Sequence, residues 1–142
     1  MTATTVNRTG IATEAKPRAG GPILNGVVWS HELATTSIDE NNDAVNMGYL
    51  PAGVTLIGFS AYVDDVDSAT ALVWKITVGS TDVKTGMTIG QADAKSTHTL
   101  TQFLAIDPYT TTAETLVTVT FTTAAGTPVA GTIVLVPFYI GD

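Results

Sequence analysis

The chain has 142 residues, no cysteine, and six Lys and Arg against 13 Asp and Glu, for a formal charge of −7. A chain of this length is one ordinary domain able to bury an independent core. Its charge argues against nucleic acid as the main partner, because phosphate binding needs concentrated positive charge. The missing thiols exclude a disulfide framework, thiolate metal sites and a thiol nucleophile.

Residues 1–24 differ in composition from the rest. They hold Gly10, Pro17, Gly20, Gly21 and Pro22, few large apolar side chains, and no period of two or 3.6. Arg8, Lys16 and Arg18 against Glu14 give this segment a net +2, which leaves −9 on residues 25–142. We expect an extended N-terminal arm, disordered when free and ordered against an acidic neighbour once assembled. Fully extended, it reaches about 80 Å. The arm has no apolar stretch that could serve as a signal peptide. The longest apolar run, residues 133–140, is far short of the roughly 20 residues that span a bilayer. These features predict a soluble chain made in a cytoplasm, with no membrane partner. The Asn7-Arg8-Thr9 sequon is then a chance match.

The body, residues 25–142, reads as strands. Val27, Trp29, His31 and Leu33 alternate with Val28, Ser30 and Glu32. A strand containing Met47 meets the turn Pro51-Ala52-Gly53, and Ile57, Phe59, Ala61 and Val63 mark the inner face of the next strand. An acidic loop then leads to Leu72, Trp74, Ile76 and Val78, which alternate with Val73, Lys75 and Thr77. Residues 89–96 carry a weak helix signal without an apolar stripe. Leu100, Leu104 and Ile106 share a parity, with Phe103 opposite, before a turn signal at Asp107-Pro108. Val117, Val119 and Phe121 against Thr118, Thr120 and Thr122 form the clearest half-buried strand. The last strand, 132–140, is apolar on both faces, as expected of a central or interface strand; Pro137 within it predicts an edge, a bulge or a late bend. Six to eight strands at this spacing predict an all-β fold, a single β-sandwich of jelly-roll or Ig-like Greek-key topology. Charged residues are 13 % of the chain, and 26 threonines supply the polarity instead. Such a surface suits close packing against neighbours.

Candidate chemistry is sparse. Asp39-Glu40-Asn41-Asn42-Asp43 opens like a calcium loop, but Ala44 and Leu50 stand where that loop needs Gly and a bidentate Glu. Asp64, Asp65 and Asp67 form a tighter cluster, whose mutual repulsion a cation or a basic neighbour would relieve. Ser60 lies in Gly58-Phe59-Ser60-Ala61-Tyr62, one residue short of a nucleophile elbow and inside a strand. His31 and His98 are isolated, and phosphate-cradling glycine loops are missing. The chain therefore reads as non-enzymatic, with no cofactor, metal or catalytic residue. Trp29 and Trp74 have core parity, which leaves Tyr62 and Tyr109 as the better surface rings for stacking a sugar.

Gly48-Tyr49-Leu50-Pro51-Ala52-Gly53 leading into a hydrophobic strand, Asp65-Val66-Asp67-Ser68, the apolar strand ending at Gly79, and the 114–133 region resemble a pattern in small virion structural proteins of tailed bacteriophages. The likeness covers roughly residues 45–140 and rests on turn and strand signals. It implies a capsid decoration, or cement, protein: a homotrimer on the outer surface of the head that binds the major capsid protein and stabilises contacts between capsomers. On that reading Arg8, Lys16 and Arg18 of the arm and Asp64, Asp65 and Asp67 of the acidic loop are the expected interface residues. The alternative is a glycan-binding or adhesion sandwich on a head fibre, tail or cell surface.

Overall fold

Period-two burial organises the strands into two antiparallel sheets that share one core. The computed structural model describes residues 23–91 and 102–141; Arg8, Lys16, Arg18, His98 and Leu100 lie outside them. In chain order the strands are β1 Ile23–Gly26, β2 Trp29–Leu33, β3 Asp43–Leu50, β4 Thr55–Val63, β5 Val73–Val78, β6 Thr81–Met87, β7 Gln102–Thr110, β8 Thr115–Thr123 and β9 Gly131–Gly141. A single 3-10 turn, Thr35–Ser37, precedes β3.

The topology follows one nested scheme. β5 pairs with β6, β4 with β7, β3 with β8, and both β1 and β2 with β9. One long hairpin, with its tip at Gly79-Ser80, is thus rolled so that successive pairs alternate between sheets. Pairing of β4 with β9 and of β5 with β8 closes the roll. The sheets are (β1, β2)-β9-β4-β7 and β3-β8-β5-β6. This is the strand order of a jelly roll, and it decides against the Ig-like alternative.

Trp29, Phe59, Trp74 and Phe121 fill the centre, each 0 % exposed. The alternation read from the sequence holds through β5 and β8, where Trp74, Ile76, Val78, Val117 and Val119 point inward. It breaks in β4. Ile57 is an extra residue against β9, so Leu56 is buried and Ile57 is only half-buried; a bulge reverses the parity that unbroken alternation assigned to it. Asp107-Pro108 does not end a strand either. It lies within β7, where the register against β4 slips between Leu56 and Gly58. That strand is at the sheet edge, where Pro is tolerated.

Pro137 lies in a strand with partners on both sides. β9 pairs with β4 at Phe59, but on its other side the ladders of β1 and β2 end at Phe138 and Leu135 and skip Val136 and Pro137. Proline has no N–H to donate. The interruption between β1 and β2 therefore falls where the ladder lacks a donor.

A second bulge explains Gly48. Met47 is the extra residue between Asn46 and Gly48 in the β3–β8 register, which turns Gly48 onto the indole of Trp29. A Cβ at position 48 would stand 2.4 Å from Nε1 and 2.5 Å from Cε2 of that ring. Gly53, in the following turn, instead has φ +75° and open space around it. Gly48→Ala should therefore destabilise the fold by about 3 kcal/mol, as overpacking in a filled core does. Gly53→Ala should cost only about 1 kcal/mol, from added backbone strain. Chemical denaturation of both variants measures the difference, and equal losses would contradict this packing.

Candidate functional site at the long-loop end

The jelly roll has two unlike ends. At one, the turns 51–54, 79–80 and 111–114 are short; at the other, segments 34–42, 64–72, 88–91 and 124–130 meet. The short end is pinned by the buried Thr111. Its hydroxyl donates to the Pro51 carbonyl at 2.7 Å and accepts from the Val54 N–H at 3.1 Å.

The acidic motif lies at the long end, and its three carboxylates diverge. Asp64 continues the β4–β9 ladder: its N–H donates to the Thr132 carbonyl at 3.0 Å, and its Oδ2 accepts from the Thr132 N–H at 2.8 Å. Tyr62 donates its hydroxyl to Asp64 Oδ1. That hydrogen bond is the main reason the phenol titrates above its ordinary value, with burial and the Asp64 charge adding to it. Asp65 is exposed. Asp67 is 0 % exposed and belongs to the interior.

Four backbone N–H groups converge on the Asp67 carboxylate. Oδ1 accepts from Ala69 at 3.1 Å and Thr127 at 2.9 Å, and Oδ2 from Ala71 at 2.9 Å and Leu72 at 2.8 Å. The main chain beside it joins a third segment, since the N–H groups of Val66 and Asp67 both donate to the Gly90 carbonyl. Val129 N–H donates to Val66 O, and Gln91 Nε2 to Leu72 O. Three loops are therefore tied at one residue. Relief of acid repulsion comes from peptide dipoles, where the sequence pointed to a cation or a basic neighbour. Burial pushes the Asp67 carboxyl upward, but the N–H groups of Thr127, Leu72, Ala71 and Gly126 outweigh it and hold it below the ordinary value.

The acidic motif thus separates by role. Asp67 presents no surface to a neighbour, Asp64 is half-buried and bonded to Thr132 and Tyr62, and Asp65 faces solvent. Among the described residues no three His, Asp or Glu side chains are grouped to hold a metal ion. The aromatic candidates also change places. Tyr62 is half-buried on Asp64, Tyr109 packs against the core, and among the described side chains the exposed ring is Tyr49, at 54 %.

Sequence reading missed one juxtaposition, because its members are distant in the chain. His31, Ser37 and Asp43 line a single open groove. No hydrogen bond joins them, and the Asp43 carboxylate instead accepts from the Glu40 N–H at 3.1 Å. A nucleophile needs a base in contact and a group that orients that base, and this groove has neither link. Ser60 faces outward from β4, whereas His31 shares the inward parity of Trp29 and Leu33.

Asp67→Asn places an NH₂ group against backbone donors and should cost about 3 kcal/mol, as losing acceptors for buried donors does. In the native protein the carboxylate contribution is fully present above its unfolded-state value of about 3.9. It is lost as pH falls through the lower folded-state value. Acid titration of stability should therefore show a steeper decline below about pH 4 in the native protein than in the Asn variant. Parallel curves for the two proteins would rule out this role.

No family model matches the sequence, and no curated protein matches it. Among solved structures, the fold is similar to a chain of the cyanophage Pam1 capsid asymmetric unit, with TM-score 0.61 and 19 % identity over 91 % of this chain and 96 % of that one. It is similar to a chain of the capsid of Ralstonia phage GP4, with TM-score 0.58 and 18 % identity over 89 % and 90 %. A chain of the acidic stable capsid structure of Helicobacter pylori bacteriophage KHP30 aligns with TM-score 0.52 and 21 % identity over 83 % and 93 %. At these identities the likeness is one of fold.

Proposed function

We propose that this chain is a non-enzymatic structural protein of a bacteriophage capsid, seated on the outer surface of the head as a decoration or cement protein. The observation that carries the reading is the end-to-end fold likeness to chains of three phage capsid structures, spanning at least 83 % of this chain and 90 % of each of theirs. The Gly48–Gly53 turn and the Asp65-Val66-Asp67-Ser68 loop support it from the sequence side. Here those motifs have structural work: one packs on Trp29, and the other ties three loops.

In this reading the partners are the major capsid protein and further copies of the chain, assembled as a trimer. Surface buried across capsomer boundaries raises the free energy needed to part them, and many copies multiply a modest contact. The first described residue and the acidic loop lie at opposite ends of the sandwich. Ile23, where the described chain begins after the arm, pairs with Gly141, while Asp64 hydrogen-bonds Thr132 near the start of β9. A strand of that length runs about 33 Å. In this reading Arg8, Lys16 and Arg18 in the arm and the exposed Asp65 in the loop engage neighbouring subunits. The glycan-binding alternative has one feature in its favour, the exposed Tyr49; a single ring is a small platform for stacking.

Quantitative mass spectrometry of purified virions from the source is expected to find the chain near stoichiometry with the major capsid protein. A few copies per particle would shift the reading to a fibre, connector or tail part, and complete absence would remove it. Deleting residues 1–22, just before β1, should leave the melting temperature within a few degrees and weaken binding to shells several-fold. Unchanged binding would take the arm out of the mechanism.

A further inference from the structure

The outer faces of the two sheets differ in chemistry. On β3-β8-β5-β6 the outward positions are mostly polar, with Asn46, Thr118, Thr120, Thr122, Lys75 and Thr77, and Tyr49 beside Leu116 at the short-turn end. Lys75 forms an ion pair with Asp82 at 2.9 Å. The other sheet carries Val134, Val136, Phe138 and Ile140 outward along β9, all half-buried, while Ile133, Leu135, Pro137 and Tyr139 fill the core side. A strand apolar on both faces needs a second covering layer, and among the described residues the sandwich supplies one.

The neighbours at the middle of this strip are small. Ser60 lies beside Val136, and Gly26 and Gly58 flank Phe138, whereas Ser30 and Tyr62 flank Val134, and Leu24 and Thr55 pair with Ile140. The four apolar side chains therefore form a ridge about 20 Å long whose shoulders are low beside Val136 and Phe138. At its β2 end it runs into acids: Glu32 pairs with Thr132, Asp64 hydrogen-bonds Thr132 from the other side, and Asp65 follows. The cationic side chains among the described residues, Lys75 and Lys84, are both on the opposite sheet.

We propose that this ridge is the docking face of the molecule, and that its occupant is a protein surface with an apolar groove and basic side chains at one end. The inference rests on the capsid reading above and specifies which side of the sandwich faces the shell. Charge decides the class of occupant. A second copy packed ridge on ridge with the strands parallel would set Glu32 and Asp65 against an equally acidic rim, and with the strands antiparallel would leave them over an uncharged end, whereas a basic rim gains from both. The apolar ridge supplies the area that excludes water, with Val134 and Val136 nearest its acidic end. The Thr-rich sheet is left to face solvent.

The test uses shells stripped of this protein, rebound with the full-length chain at fixed salt. Val136→Lys puts an ammonium on the ridge while its stem covers the strand. Thr120→Lys places the same charge on the opposite sheet. Val136→Lys is expected to weaken binding at least tenfold, roughly the loss of one anchor contact, with Thr120→Lys within twofold of the parent. Glu32→Lys should weaken binding several-fold and flatten its salt dependence. The near-isosteric double variant Val134→Thr, Val136→Thr provides the same reading if the lysine variant unfolds. If the ridge variants bind like the parent while the parent fills the shell, the docking face is wrong and the capsid reading stands. Loss with Thr120→Lys instead would assign docking to the other sheet. A parent that neither binds shells nor occurs in particles overturns both.

Discussion

One buried carboxylate holds the long-loop end together. Asp67 has no cation beside it among the described residues; it is held by backbone N–H groups of Ala69, Ala71, Leu72 and Thr127. These donors come from two loops, and the adjacent peptide binds a third through Gly90. A jelly roll closes its ends with long connections, and loops carry polar groups that burial would leave unpaired. An ionised acceptor with two oxygens satisfies several of them at one point. The arrangement also explains why a chain poor in charge invests an acid in its interior. A neutral amide supplies one oxygen acceptor and adds donors where the site already has them.

At the opposite end a neutral group does a similar task. The Thr111 hydroxyl bridges Pro51 and Val54 across a turn of four residues. The difference follows from loop length: a short turn leaves few groups to satisfy, so one hydroxyl serves. Between these ends, the sheets are set by side-chain volume. Trp29 takes the space that Gly48 vacates, and the bulge at Met47 lets both fit. Pro137 is admitted to β9 because the facing strand is divided into β1 and β2 at that level.

The same organisation leaves the surfaces with separate chemistry. One sheet presents threonines, Asn46, an ion pair and the exposed Tyr49 to the outside; the other presents the ridge of β9 with acids at one end. A monomer gains nothing in its own core from apolar residues on the outer side of a central strand. Their presence, with an acidic rim and no described lysine on that face, is the physical basis for assigning it to a partner. The groove that gathers His31, Ser37 and Asp43 has no such organisation, since no hydrogen bond links the three.

Much of the architecture was legible from residue order alone. Alternation in β5 and β8 identified Trp74, Ile76, Val78, Val117, Val119 and Phe121 as core, because side-chain direction in a strand repeats every two residues. The two apolar faces of β9 likewise predicted a central or interface strand. Local pattern could not choose jelly roll over Ig-like topology, which depends on pairing between residues far apart. Nor could it foresee the bulge that turned Ile57 aside, or the strand break opposite Pro137. The acidic motif shows the same limit most clearly. Sequence identified three nearby acids and the repulsion among them, but their separation into an exposed Asp65, a ladder-extending Asp64 and a buried Asp67 was decided by donors at Thr127 and Thr132, some 60 residues along the chain. Alternation is a local property of the backbone, whereas the partners that satisfy a buried charge exist only once distant loops have met.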